Sequence, residues 1–317
     1  MGSMQTAAET AVRQCVGLKA EESCLVVTDE GCKPVGEALF DVAATISDDT
    51  VLLRLLPPGE HGEEPPAPVA AAMQAADVFL APTSKSLSHT RARSRACEAG
   101  ARGATLPGIT EEVFTTGMDA DYERIGDECQ RVASALAGAR TVRVRTDRGT
   151  DIRFEVADRS WKQDTGMVHE AGAFSNLPAG EVFVSPASAS GTYVVDGSIR
   201  PHGLLEPDQT VTVRVEDGYA VDISDPGVAK AFERAAETVG RDAYNVAELG
   251  IGTNVGVTEL VGSILLDEKA GGTVHIALGD DASIGGETEA PIHCDGVIRN
   301  PVVEVDGEVL SLPNGPA

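Results

Sequence analysis

The pattern of apolar and polar positions divides the chain into two differently organised parts. In the first part, short apolar runs alternate with segments of helical period, so strands and helices are expected to alternate. The predicted strands cover residues 25–27, 51–56, 78–81 and 104–106, and the predicted helices cover residues 35–46, 69–76 and 88–99. This spacing predicts an open, largely parallel sheet with helices on both faces.

The second part begins after a predicted long helix over residues 118–139. Residues 141–145 alternate strictly between polar and apolar side chains, which is typical of a half-buried strand. Further strands are predicted at residues 151–156, 181–184, 191–195, 211–215 and 219–223, with a helix over 228–239. The sequence therefore predicts an α/β open-sheet domain over residues 4–140 and an α+β domain with mainly antiparallel strands over residues 141–317.

The charge balance of the chain is strongly acidic. Asp and Glu number 50 against 25 Lys and Arg, which gives a net charge of −25. Such a surface suits a cytosol of very high salt, where self-repulsion is screened, and predicts a halophilic source. The same field argues against nucleic acid as a partner. Because no apolar run approaches the roughly 20 residues of a membrane span, we expect a cytoplasmic protein with no membrane partner.

The six cysteines show no Cys-x-x-Cys spacing. This argues against a zinc ribbon, an iron–sulfur cluster or a disulfide scaffold, and predicts reduced, mostly buried thiols. Cys294 lies between His293 and Asp295, and on a strand it would point away from them into the core.

Candidate metal chemistry is concentrated near the C-terminus. Glu248, His275, His293 and Asp295 fall within 48 residues. Residues 273–278 are predicted to form a strand in which His275 points away from the apolar face, and His293 and Asp295 share one side of an extended segment. Imidazole and carboxylate groups are common ligands of divalent cations, so the sequence predicts a metal site.

Four ordered motifs resemble the aminopeptidase T family of metallopeptidases. They are Asn-Leu-Pro-Ala-Gly-Glu-Val-Phe at residues 176–183, Glu-Leu-Gly-Ile-Gly-Thr-Asn at 248–254, Gly-Thr-Val-His-Ile-Ala-Leu-Gly at 272–279 and His-Cys-Asp at 293–295. The resemblance is strongest from about residue 140 to the end, and the α/β pattern before it is similar to the first domain of that family.

The resemblance implies a dinuclear, cocatalytic metal centre in the C-terminal domain, facing a cleft enclosed by homodimerisation. The expected cofactor is Zn, Co or Mn, with one or two ions in each chain. A metal-bound hydroxide would attack the N-terminal peptide bond of a small peptide. Carried over motif by motif, the implied metal ligands are Glu181, Glu248, His275, His293 and Asp295. Glu181 and Glu248 would also be catalytic.

One position departs from the peptidase pattern. The peptidases have a tyrosine seven residues after the first histidine ligand, whereas this chain has Ala282. A related group, the 2,5-dihydroxypyridine 5,6-dioxygenases, supplies an alternative, in which His275, His293 and Asp295 hold a single Fe(II) for ring cleavage of a small molecule. A noncatalytic metal-binding protein is the third hypothesis, because Ala282 breaks the pattern.

Three further sites carry weaker signals. His89 follows a predicted strand and lies at the start of a helix that Ser88 could cap. Because such strand-to-helix turns line clefts in open α/β sheets, His89 could face substrate. His169 precedes the Glu181 motif and is a second substrate-facing candidate. The pair Glu268-Lys269 is interpreted as a surface ion pair, worth under about 1 kcal/mol.

Overall fold

The structure, a computed structural model, describes residues 2–314. The chain folds into two compact units. Of the described residues, the first unit contains those up to Gly126 together with Asp164–Ala179, and the second contains Asp127–Gln163 together with those from Gly180 onward. The predicted domain boundary near residue 140 stays a prediction; the two units are interleaved along the sequence, because Asp164–Ala179 returns to the first unit.

Helices and strands are numbered in chain order. The α-helices are α1 (Met4–Glu9), α2 (Lys33–Ala44), α3 (Ala67–Ala75), α4 (Arg91–Glu98), α5 (Glu111–Gly117), α6 (Tyr122–Leu136), α7 (Pro226–Val239) and α8 (Ile264–Asp267). A π-helix covers Thr10–Cys15, and 3₁₀-helices cover Gly240–Tyr244 and Ala282–Ile284. The strands are β1 (Cys24–Thr28), β2 (Thr50–Arg54), β3 (Val78–Thr83), β4 (Arg102–Pro107), β5 (Thr141–Arg145), β6 (Asp151–Glu155), β7 (Lys162–Asp164), β8 (Phe174–Asn176), β9 (Glu181–Val184), β10 (Ser188–Val195), β11 (Ser198–Ile199), β12 (Gly203–Leu204), β13 (Val211–Glu216), β14 (Tyr219–Ile223), β15 (Val246–Gly252), β16 (Val274–Gly279), β17 (His293–Ile298), β18 (Val302–Val305) and β19 (Glu308–Val309).

The first unit contains the predicted parallel sheet. Five strands pair in the order β2-β1-β3-β4-β8, and every pair is parallel. Leu25, Val27 and Phe79 on the sheet pack with Met73 of α3, and all four are buried. The fold class predicted for this part of the chain is confirmed.

Two predictions about helix starts were wrong. Helix α6 begins at Tyr122 rather than at residue 118, because the Asp121 carboxylate accepts hydrogen bonds from the backbone N–H groups of Glu123 and Arg124. Helix α4 is capped by Thr90, whose hydroxyl accepts from the backbone of Arg93. The hydroxyl of Ser88, the predicted cap, instead hydrogen-bonds the side chains of Thr105 and Asn176 in the first unit.

The second unit contains two seven-stranded sheets built mainly from antiparallel pairs. One has the order β14-β13-β10-β6-β5-β18-β19, and the other has the order β12-β11-β17-β16-β15-β9-β7. Strands β5 and β6 of the first sheet alternate between more and less buried positions. Strands β15 and β16 of the second sheet are buried at every position, so both faces of its centre are covered.

The cysteines behave as predicted. All six are free thiols, and five of them, Cys294 included, are buried. Burial raises the pKa of Cys294 to about 11 and that of Cys24 to about 12, so neither thiol is an activated nucleophile. None of the helices within residues 2–314 combines the length and apolarity that a membrane span requires.

Candidate metal centre

The five predicted ligands lie on one face of the sheet that contains β15 and β16. Residues opposite one another in an antiparallel pair point to the same face of a sheet. The register places Glu181 opposite Gly252, His275 opposite Gly250, both Glu248 and Asp295 opposite Ala277, and His293 opposite Gly279. Each ligand candidate therefore has a glycine or alanine as a cross-strand neighbour, which leaves room for its side chain.

The side chains form two overlapping groups that share Glu248. One ligand atom from each of Glu181, Glu248 and His275 lies within 4.8 Å of the others, and the same holds for Glu248, His293 and Asp295. The structure thus brings together all five ligands that the sequence resemblance implies. Their role as metal ligands stays a prediction.

The distances within the first group have the spacing of ligands around a cation. The Nε2 atom of His275 lies 3.3 Å from Oε2 of Glu181 and 3.3 Å from Oε1 of Glu248. Ligands about 2.1 Å from one ion lie about 3.0–3.4 Å apart at octahedral to tetrahedral angles. Within the described residues, the buried Oε2 of Glu181 and the buried Nδ1 of His275 have no hydrogen-bond partner. A buried carboxylate oxygen of this kind fits a bound cation.

The second group is more open. The Nε2 atom of His293 lies 3.5 Å from Oε2 of Glu248 and 3.4 Å from Oδ1 of Asp295, and the His293 side chain is 34% exposed. Its Nδ1–H donates to the backbone carbonyl of Asp280 at 2.7 Å. This hydrogen bond fixes the tautomer that presents Nε2 to the carboxylates, as is usual for histidine ligands.

Gly250 creates the space that His275 occupies. A Cβ atom at Gly250 would lie 2.0 Å from Nε2 and 2.1 Å from Cε1 of His275. Real Cβ atoms do not approach other atoms that closely, so any larger residue at position 250 must displace the imidazole. The backbone of Gly250 thus forms the floor of the candidate site.

The electrostatics of the site are dominated by paired buried charges. Burial opposes the ionisation of Glu248, but hydrogen bonds from His275 and His293 outweigh it and lower its pKa to about 2. Burial also opposes the charged form of His275, yet Glu248, Glu181 and Glu268 raise its pKa to about 9. Burial raises the pKa of Glu181 to about 8, against the lowering by Lys269 and His275.

Lys269 is the residue of this site that the sequence interpretation missed. Its ammonium lies 2.5 Å from Oε1 of Glu181 and 2.8 Å from Oε1 of Glu268, and its side chain is 6% exposed. The interpretation of Glu268-Lys269 as a surface ion pair was wrong, because the turn after α8 directs both side chains into the protein. Its direct contact with Glu181, 88 residues earlier in the chain, has no local sequence signal.

Neither of the other two histidine candidates, His89 and His169, belongs to the two groups of potential ligands found among the described residues. His89 and His169 belong to the first unit and are exposed, and Nε2 of His169 lies 2.6 Å from the carbonyl of Gln14. Their substrate-facing roles stay predictions. Ala282, at the position of the peptidase tyrosine, is exposed at the start of a 3₁₀-helix.

The stability of the metal-free protein should fall as the pH rises from about 6.5 to 9. The His275 pKa, raised from 6.5 to about 9, stabilises the fold fully below pH 6.5, and this contribution is lost as the pH rises through 9. This contribution of His275 to the free energy of unfolding is on the order of 3 kcal/mol. The Glu181 pKa, raised from 4.5 to about 8, makes the fold lose stability over pH 4.5–8, in the same direction. Thermal unfolding of chelator-treated protein measures the trend.

Two comparisons test this pH dependence. His275→Gln should flatten the fall in Tm, whereas His202→Gln should not, since His202 pairs with Asp225 away from the cluster. Adding a divalent cation should reverse the trend, because a metal binds neutral imidazole and competes with protons. A metal-free Tm that rises between pH 6.5 and 9 would contradict the assigned charges.

Comparison with known proteins identifies a family whose sequences are similar to this chain. The sequence profile of the family described as NicX, 2,5-dihydroxypyridine 5,6-dioxygenase, matches residues 9–312. The 2,5-dihydroxypyridine 5,6-dioxygenase of Pseudomonas putida KT2440 is 25% identical over 202 residues, which cover 59% of this chain and 57% of that enzyme.

Two solved structures share the fold. The structure of 2,5-dihydroxypyridine dioxygenase from Pseudomonas putida KT2440 aligns with a TM-score of 0.78 at 18% identity, covering 99% of this chain and 96% of that one. Wild-type AmpT, an aminopeptidase T from Thermus thermophilus, aligns with a TM-score of 0.70 at 18% identity, covering 98% and 97%. The α/β plus α+β architecture is therefore common to a dioxygenase and a peptidase.

Proposed function

This chain belongs to the 2,5-dihydroxypyridine 5,6-dioxygenase family, and we propose that it is a mononuclear iron(II) dioxygenase that cleaves a hydroxylated aromatic ring. The observation that carries the proposal is the convergence of His275, His293 and Asp295 on one sheet face around Glu248. Two histidines and one carboxylate are the donor set of many non-haem iron(II) oxygenases.

The proposed ligands are His275, His293 and Asp295. Glu248 supports them, because its Oε1 lies 3.3 Å from Nε2 of His275 and its Oε2 lies 3.5 Å from Nε2 of His293, so one carboxylate contacts both imidazoles. The carbonyl of Asp280 holds His293 in the ligating tautomer. When bound, iron(II) supplies the electrons that activate dioxygen and a positive centre for a ring hydroxyl.

Glu181 is the proposed proton acceptor. In the metal-free protein, burial raises the pKa of Glu181 to about 8, near neutral pH, where a carboxyl group can both accept and release a proton. A ring hydroxyl that becomes an anion during binding needs such a group. The 7% exposure of the Glu181 side chain limits competition from water.

Metal analysis and substrate turnover together test the proposal. Protein purified anaerobically and reloaded with Fe(II) should hold about one iron per chain and should consume oxygen with 2,5-dihydroxypyridine. His293→Ala should lose both the iron and the oxygen uptake, because it removes a ligand. His202→Ala, in the same unit, is the matched control and should keep both. Cleavage of aminoacyl anilides with Zn, Co or Mn, without oxygen uptake, would reject the dioxygenase.

A metal-dependent aminopeptidase-like hydrolase is the second candidate. The observation in its favour is that Glu248 belongs to both groups of potential ligands, as a carboxylate that bridges two metal ions would. The fold shared with AmpT agrees with this candidate. The exposed Ala282, where the peptidases have a tyrosine, counts against it.

A further inference from the structure

Lys269 is a buried cation placed directly against one group of potential metal ligands. Burying an ammonium group is costly unless it is paired, and in this site it lies between Glu181 and Glu268 at 2.5 Å and 2.8 Å. The backbone on either side is fixed, because the Lys269 carbonyl accepts from Asn254 N–H at 2.8 Å and its N–H donates to the carbonyl of Leu266 at 3.0 Å. The ammonium is therefore held in place by the fold.

The position of this ammonium distinguishes the two ligand groups. It contacts Oε1 of Glu181, while the other oxygen of the same carboxylate faces His275 in the first group. A divalent ion in the first group would thus share one carboxylate with an ammonium, and the two like charges would repel each other. In the second group, His293 forms its ion pairs with the carboxylates of Glu248 and Asp295.

We propose that the ammonium of Lys269 takes the place of a second divalent cation and restricts this centre to one metal ion. The inference rests on the proposed metal centre and adds the residue, Lys269, that sets the number of metal ions bound there. Four carboxylates, those of Glu181, Glu248, Glu268 and Asp295, surround the cluster. When all four are ionised, they carry with Lys269 a net charge of −3, which one divalent ion reduces to −1. Without the ammonium the charge is −4, which two divalent ions neutralise.

The test compares metal stoichiometry in variants at position 269. Wild-type protein and Lys269→Met are stripped of metal and titrated with Mn(II), and bound manganese is counted by elemental analysis after gel filtration. We expect one equivalent in the wild type and two in Lys269→Met, with an exchange-coupled electron paramagnetic resonance signal only in the variant. Lys269→Arg keeps the charge and should bind one equivalent. Lys230→Met, at an exposed position of α7, is the matched control and should also bind one.

Thermal unfolding keeps the test decisive if Lys269→Met is destabilised. The variant should melt lower than wild type without metal, and Mn(II) should raise its Tm in two saturating phases where the wild type shows one. A folded Lys269→Met that binds a single equivalent overturns the inference, as does a variant that Mn(II) cannot stabilise, or a wild type that binds two. If neither protein binds any divalent ion, including Fe(II), the proposed function fails as well.

Discussion

Glu248→Gln is expected to lower the affinity of the protein for a divalent metal by roughly 10- to 100-fold, the usual effect of losing a partner that orients the metal ligands. Glu248 contacts both imidazoles of the candidate site, with Oε1 on His275 and Oε2 on His293. Glutamine keeps the volume of the side chain but removes its negative charge. With a pKa of about 2, the Glu248 carboxylate is ionised at neutral pH, and this charge orients both imidazole rings. Competition titration with a chromophoric chelator measures the change.

Glu259→Gln is the matched control for this substitution. Glu259 is an exposed glutamate of the same unit, so its amide should leave metal affinity unchanged. A Glu248→Gln protein that binds metal as tightly as wild type would exclude Glu248 from both ligand groups. Only His293 and Asp295 would then remain as potential ligands in the second group.

Gly250→Ala is expected to abolish metal binding without any change in a ligand. The added Cβ would lie 2.0 Å from Nε2 of His275, so the imidazole must leave the position in which Nε2 lies 3.3 Å from Glu181 and from Glu248. The interior is close-packed, so we also expect a loss of stability of roughly 1–3 kcal/mol from overpacking. Metal stoichiometry, together with urea unfolding of the metal-free protein, measures both effects.

Gly227→Ala separates the specific effect from the general cost of a methyl group. Gly227 is exposed in the first turn of α7, where the atoms nearest to a Cβ would belong to side chains, the first being Oδ1 of Asp225 at 3.1 Å. This variant should bind metal as the wild type does. Full metal occupancy in Gly250→Ala would show that binding does not need His275 to lie against the backbone of residue 250.

The alternation of apolar and polar positions predicted much of the architecture. Strands β1 to β4 and helices α2 to α4 appear where the periodicity places them, because burial of one face is a local property of each segment. Helix starts were predicted less well, since competition among Asp, Ser and Thr for capping depends on the path of the preceding loop. Thr90 therefore caps the helix for which Ser88 was expected.

The sequence predicted which residues form the candidate site, but it did not predict how the strands align them on one face of the sheet. The donors Glu181, Glu248, His275, His293 and Asp295 can be picked out from motifs, because donor chemistry belongs to single residues. Their common face depends on strand register, including a bulge between Val246 and Glu248. A slip of one residue would turn Glu248 to the opposite face of the sheet.

By itself, the sequence determined the fold class, the reduced cysteines and the donors available for a metal, since these follow from local periodicity and side-chain chemistry. Only the tertiary structure decided that Gly250 leaves the space for His275 and that Lys269 is buried against Glu181. Residues 88 positions apart meet there through the packing of a turn against a sheet. Burial and distance between remote segments are set by that packing, and no local pattern encodes them.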